Sequence, residues 1–186
     1  MNIFYLNHDP KTCAEMHNDS HCSKMIIEYA QLMSTAHRYL DGEFYYGKTA
    51  AGRKIQRWRM NSDLEHILYK ASHVNHPSGI WVRKSRENYL WLYRMWTELN
   101  NEFMYRYNKD VPHESFRKLE DALREPPMNL KEGFFTEPTP AMPDDVKNEK
   151  SITAYREYYI KYKQHLAKWT KRGAPNWYEQ MGLRTA

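Results

Sequence analysis

Between Tyr89 and Tyr107 the large side chains fall at Tyr89, Leu92, Tyr93, Trp96, Leu99, Phe103 and Tyr107. That three-and-four spacing places them along one stripe of an α-helix. A stripe this long commits the chain to helix packing, because an aromatic face leaves water only against another element. The spacing recurs at Met25, Ile26, Tyr29, Leu32, Met33, Ala36 and Leu40, and again at Tyr155, Tyr158, Tyr159, Tyr162, Leu166 and Trp169. Seven glycines in 186 residues, about half the ordinary share, argue against a turn-rich all-β domain.

Helix starts and stops divide the chain. Asp9-Pro10 opens a short helix, and Asp19 or Ser20 caps a second that runs to about Leu40 before Asp41-Gly42. Glu43 to Met60 lacks a helical period and holds Lys48, Arg53, Lys54, Arg57 and Arg59, as a basic loop or short hairpin. Asn61-Ser62-Asp63 caps a helix of about ten residues ending near Ser72. Pro77 opens the longest segment, to Asn108; His113–Glu125 is a shorter helix, and Ser151–Lys171 is the last. The expectation is an all-α fold, one compact domain over 1–186. It has five or six helices, with a Pro-rich loop at 126–145.

Charge narrows the partners. Lys and Arg number 28 against 23 Asp and Glu, a net +5 that suits a polyanion without demanding one. No apolar run reaches the length of a membrane span, and the first ten residues lack a basic leader. Two cysteines, Cys13 and Cys22, are too few for a disulfide framework. A cytoplasmic protein with reduced thiols and no membrane contact is expected.

Four groups of residues invite a chemical reading. His21, Lys24, Glu28 and Thr35 share one flank of the second helix, at the edge of its apolar stripe. A half-desolvated carboxylate there suits general-base work, although Lys24 and Glu28 also make an ordinary i, i+4 pair. Cys13, His17 and His21 are spaced by four, but neither CxxC nor HExxH spacing is present, so no metal is expected. The run HVNHPSGIWVRKSR sets His73 and His76 before a helix start, with Arg83 and Arg86 just beyond. That arrangement suits phosphate, or equally a loop of capping histidines beside a solvated basic face. In the tail, Lys171, Arg172, Trp177 and Tyr178 interleave cations with rings, as nucleic-acid surfaces do. The same rings are equally suited to pinning the tail to the core.

The stretch AEMHNDSHCSKMIIEYAQL resembles the first long helix of the phage-type pyrimidine-dimer DNA glycosylases, the endonuclease V family of T-even phage. The likeness rests on a His followed seven residues later by a Glu, here His21 and Glu28. It is supported by the His-bearing turn at His76 and the Pro175-Asn176-Trp177-Tyr178 end. The chain is also similar to a broad group of small phage proteins of undefined function. The resemblance implies that an N-terminal amine, on Met1 or on Asn2 if Met1 is removed, attacks C1′ of a damaged nucleotide to form an imine. Glu28 would stabilise the sugar cation and move the proton, and His21 would hold the flipped-out nucleotide. Lys24, His73, His76, Arg83, Arg86, Lys171, Arg172, Trp177 and Tyr178 would line the DNA. Ile27 and Gln31 stand where that family carries arginines.

The function expected is therefore that of a DNA-binding protein resembling a DNA glycosylase/AP lyase, acting on a damaged or modified pyrimidine without a cofactor. It would work in the cytoplasm, that of an infected host if phage-encoded. The alternative is a non-catalytic protein that binds nucleic acid or a small nucleotide.

Overall fold

Asp9 accepts a hydrogen bond from the Thr12 N–H at 2.8 Å, and Pro10 fills the first helical position, so α1 (Pro10–Met16) begins there. The structure, a computed structural model, describes residues 1–182. Asn18, rather than Asp19 or Ser20, caps α2 (Asp19–Asp41) by accepting from the His21 N–H at 2.8 Å. The segment after Gly42 is a hairpin of β1 (Glu43–Lys48) and β2 (Lys54–Arg59), paired antiparallel with Phe44 opposite Trp58. Its strands carry four rings and one β-branched side chain, Ile55, and Gly52 turns them at φ 76. Eight α-helices lie among the described residues, so the fold is mostly helical. The two-stranded sheet means that it is not strictly all-α.

Tertiary bonding explains where helices depart from the periodic pattern. The expected ten-residue helix shrinks to one turn, α3 (Leu64–Ile67). Beyond it the Arg38 guanidinium takes the carbonyls of Leu68 and Tyr69 at 3.0 and 2.7 Å. The long segment from Pro77 divides into α4 (Pro77–Val82) and α5 (Arg86–Tyr107). Ser85 restarts the helix by accepting from the Asn88 N–H at 3.3 Å. After α6 (Glu114–Arg124), α7 covers only Ser151–Tyr162. The chain then turns back toward α1 and α2: the Asp19 N–H donates to the Lys168 carbonyl at 2.8 Å and the Trp169 indole to that of Met16 at 2.9 Å. A short α8 (Asn176–Gly182) closes the described chain.

α2 packs against α4, α5 and α6, and α1 lies on α5. Leu32, Leu92, Met95, Trp96 and Leu119 are buried between them, each worth roughly 1.5–3 kcal/mol of apolar burial. The Trp96 indole donates to the Ile26 carbonyl at 2.8 Å, fixing α5 on α2. Residues 1–8 form no helix, yet Ile3–Leu6 are buried in the core. Phe4 N–H donates to the Tyr29 hydroxyl at 3.2 Å, and Arg156 donates to the Leu6 carbonyl at 2.8 Å. This leading segment is therefore held on both sides, which fixes where the first residue lies. Among the described residues no helix is long and apolar enough to cross a membrane.

Candidate functional site

The buried segment from Ile3 to Leu6 delivers the first residue to the flank of α2. There the N-terminal ammonium lies 3.8 Å from Oε2 of Glu28, and Lys24 Nζ lies 3.4 Å from Oε1. The Glu28 side chain is 18% exposed and that of Met1 6%, whereas Lys24 is 64% exposed. One carboxylate thus bridges the terminal amine, whose own side chain is buried, and the solvent-facing Lys24. Asn2, the next residue, is half-buried.

His76 caps the neighbouring helix α4. Burial holds its pKa below the ordinary histidine value; the N-terminal ammonium and His73 add to this, and Glu28 opposes it. The ring is therefore neutral at neutral pH. Its Nδ1 accepts from the Ser78 N–H at 3.2 Å, capping α4, so the proton sits on Nε2 as a free-standing donor. His73, at φ 49 and exposed, occupies the preceding turn. The amine and the carboxylate thus meet on the flank of α2, and the His76 imidazole at the start of α4 feels both charges. The arrangement can move a proton to or from a group bound beside the amine.

The remaining candidates lie elsewhere. His21 is 4% exposed, stacked on Phe4 at 4.1 Å, with Nδ1 bonded to the Tyr159 hydroxyl at 2.6 Å. Burial pushes its pKa down to about 2. It is a neutral core residue and presents no surface to a nucleotide. Arg83 donates to the Val74 carbonyl at 2.7 Å and lies 4.2 Å over the Tyr39 ring; its Nη1 is buried with no hydrogen-bond partner among the described residues. Arg86 faces Glu125 and Glu132 at 3.8 and 3.9 Å.

The tail is tied to the body. Lys171 donates to the Tyr105 carbonyl at 2.6 Å and to Asn108, and Arg172 pairs with Glu102 at 2.8 Å and Glu15 at 3.2 Å. Trp177 is buried, its indole donating to Met16 Sδ at 3.4 Å, and Tyr178 packs on Trp169 at 4.9 Å. Lys171, Arg172 and Trp177 pin the tail to α1 and α5, and Tyr178 packs within the tail itself. Among the described residues no group of three or more His, Cys, Asp or Glu is placed to hold a metal ion.

Sequence reasoning passed over the hairpin's rings. Phe44, Tyr45 and Tyr46 are 45, 39 and 56% exposed, and their run beside the basic residues was the signal. The chain matches no known family model, no curated protein and no solved structure.

Proposed function

We propose that the chain acts on DNA as a glycosylase/AP lyase, with the N-terminal amine as nucleophile and Glu28 as proton carrier. One observation carries this reading: the amine lies 3.8 Å from Glu28 at the end of a segment anchored in the core. An α-amine titrates well below a lysine, so a larger fraction is neutral and nucleophilic near neutral pH. The neutral amine adds at C1′ as the bond from C1′ to the base breaks. The base leaves with the electron pair and takes a proton. The adduct nitrogen gives up one proton, the ring oxygen takes one, and the sugar opens to a protonated imine. Glu28 then removes a C2′ proton, and the 3′ phosphate departs by β-elimination. His76 Nε2–H is the donor available to the sugar or phosphate beside them. Lys24, 3.4 Å from Oε1, orients Glu28.

Borohydride reduction of the protein mixed with DNA carrying an abasic site or a pyrimidine dimer tests the reading. A covalent adduct is expected on the first residue, located by peptide mass spectrometry. Glu28→Gln should slow trapping by roughly 10²–10⁴-fold, the usual range for losing a proton-transfer group. Trapping that persists when the α-amine is acetylated, or no adduct at all, rejects the mechanism. The second reading, a nucleic-acid or nucleotide binder without catalysis, draws on the solvent-facing cations of the hairpin. It predicts saturable binding and no adduct.

A further inference from the structure

The hairpin stands off the helical core. Of its strand residues only Trp58 is buried. The register places Phe44, Tyr46 and Trp58 on one face, and the rings continue onto Tyr39 of α2. Successive centroids are close: Tyr39 to Trp58 5.2 Å, Trp58 to Phe44 5.4 Å, Phe44 to Tyr46 5.0 Å. A cation closes each end, Arg83 at 4.2 Å over Tyr39 and Lys54 at 3.7 Å over Tyr46. Arg83 ends the short helix that His76 caps, roughly 10 Å away by helical rise. The row thus leads from the amine cluster out along the arm.

Three exposed rings, Tyr39, Phe44 and Tyr46, joined through the buried Trp58, mark a contact surface. Charge decides what contacts it. From Glu43 to Arg59 the arm holds five cations and one carboxylate, four of the chain's net five positive charges. A second copy would set these cations against their like. A polyanion with flat apolar faces satisfies both features at once, phosphates meeting the cations and bases lying on the rings. Paired bases in a duplex keep their faces covered, so the rings favour an unpaired strand.

We propose that the β1–β2 arm, continued by Tyr39 and Arg83, is a docking track for a single DNA strand. Bases lie on Tyr46 and Phe44, and phosphates on Lys48, Arg53 and Lys54. The proposal rests on the DNA reading above and names the element that grips the strand next to the reacting nucleotide.

The test is fluorescence anisotropy of the full chain with a labelled single-stranded DNA of about 16 nucleotides, beside the duplex of the same sequence, over a salt series. The wild type should bind the single strand more tightly. Replacing Lys48, Arg53 and Lys54 together by Gln should reduce the slope of log affinity against log salt by about 2, near 0.7 for each phosphate that the variant no longer neutralises. Tyr46→Ala should weaken binding about tenfold. Because the three cations are solvent-facing, the charge variant keeps its melting curve and tests the arm independently of folding. Unchanged affinity and slope in that variant overturn the proposal. So does a change in oligomeric state with DNA affinity unaltered, or tighter binding of the duplex. Affinity needs no adduct: arm-dependent binding without trapping refutes the imine reading alone, and trapping with arm-independent binding refutes the arm alone.

Discussion

Three histidines inside the helical body, His17, His21 and His37, are held neutral by burial, which pushes their pKa values down to about 4, 2 and 4. Each has a partner that suits the neutral ring: the Tyr29 hydroxyl at 2.9 Å, Tyr159 at 2.6 Å and Tyr89 at 2.9 Å. The unfolded chain binds protons near pH 6.5, well before the folded one. Their contribution is therefore fully present above pH 6.5 and is lost as the pH falls toward 4, by up to about 1.4 kcal/mol per pH unit for each ring. Below about pH 4 the loss slows, because His17 and His37 then protonate in the folded state too. Urea midpoints measured from neutral pH down to about pH 4.5 should fall steeply. His37→Gln should flatten that fall by one proton's worth, and a flat wild-type profile would contradict neutral burial. At this scale Glu28 was legible, because helical spacing sets a carboxylate on the edge of the α2 stripe. His21 was not: the same spacing puts it on that flank, but Phe4 and Tyr159 come from distant parts of the chain to cover it.

At the scale of elements, starts carried by side-chain chemistry were readable and ends imposed by distant partners were not. Asp9-Pro10 and the stripe of α2 announce themselves. The interruption at Arg83–Ser85 lies just ahead of the aromatic stripe with no Pro or Gly to mark it, and the Ser85 hydroxyl is fixed there by the distant Phe134 carbonyl at 3.1 Å. Asn88 locks the same corner, donating to the Trp81 carbonyl at 3.0 Å and accepting from the Thr136 N–H at 2.8 Å. The break aims α4, and with it His76 and Arg83, back at α2. Ser85→Ala removes the cap and one loop bond, so stability should fall by about 1 kcal/mol, read from urea unfolding. If the break serves the site, the same variant should slow borohydride trapping at protein concentrations where it remains folded. Equal trapping rates would make the corner purely structural.

Across the whole molecule the cations divide into two populations that net charge cannot separate. Four of the arm's five face solvent, Arg57 alone turning in to the Ala71 carbonyl, whereas Arg106 is fully enclosed and joins α1, α2, α5 and the tail. It donates to the carbonyls of His17 and Glu15 at 2.8 Å each, to Asp19 at 3.1 Å and to Glu102 at 2.6 Å. Arg172 bonds the far side of Glu102, which is why the basic-aromatic tail is a clasp on this structure although its composition suits nucleic acid. Composition shows the cations; only the fold supplies the carboxylates that claim them. Arg106→Met would keep the volume and the apolar stem but leave Glu102, 3% exposed, with Arg172 as its sole cation, and orphan two carbonyls. Breaking a buried pair from one side costs about 3–5 kcal/mol, so the urea midpoint at neutral pH should drop sharply. Adding Glu102→Gln removes the buried charge that has lost its Arg106 partner and should return part of that loss, giving a coupling energy above about 0.5 kcal/mol in the double-mutant cycle. Strict additivity would mean that the two side chains stabilise the molecule independently. The clasp would then rest on Arg172, on the Thr170 hydroxyl donating to Asp19 at 2.7 Å and on the tail's rings.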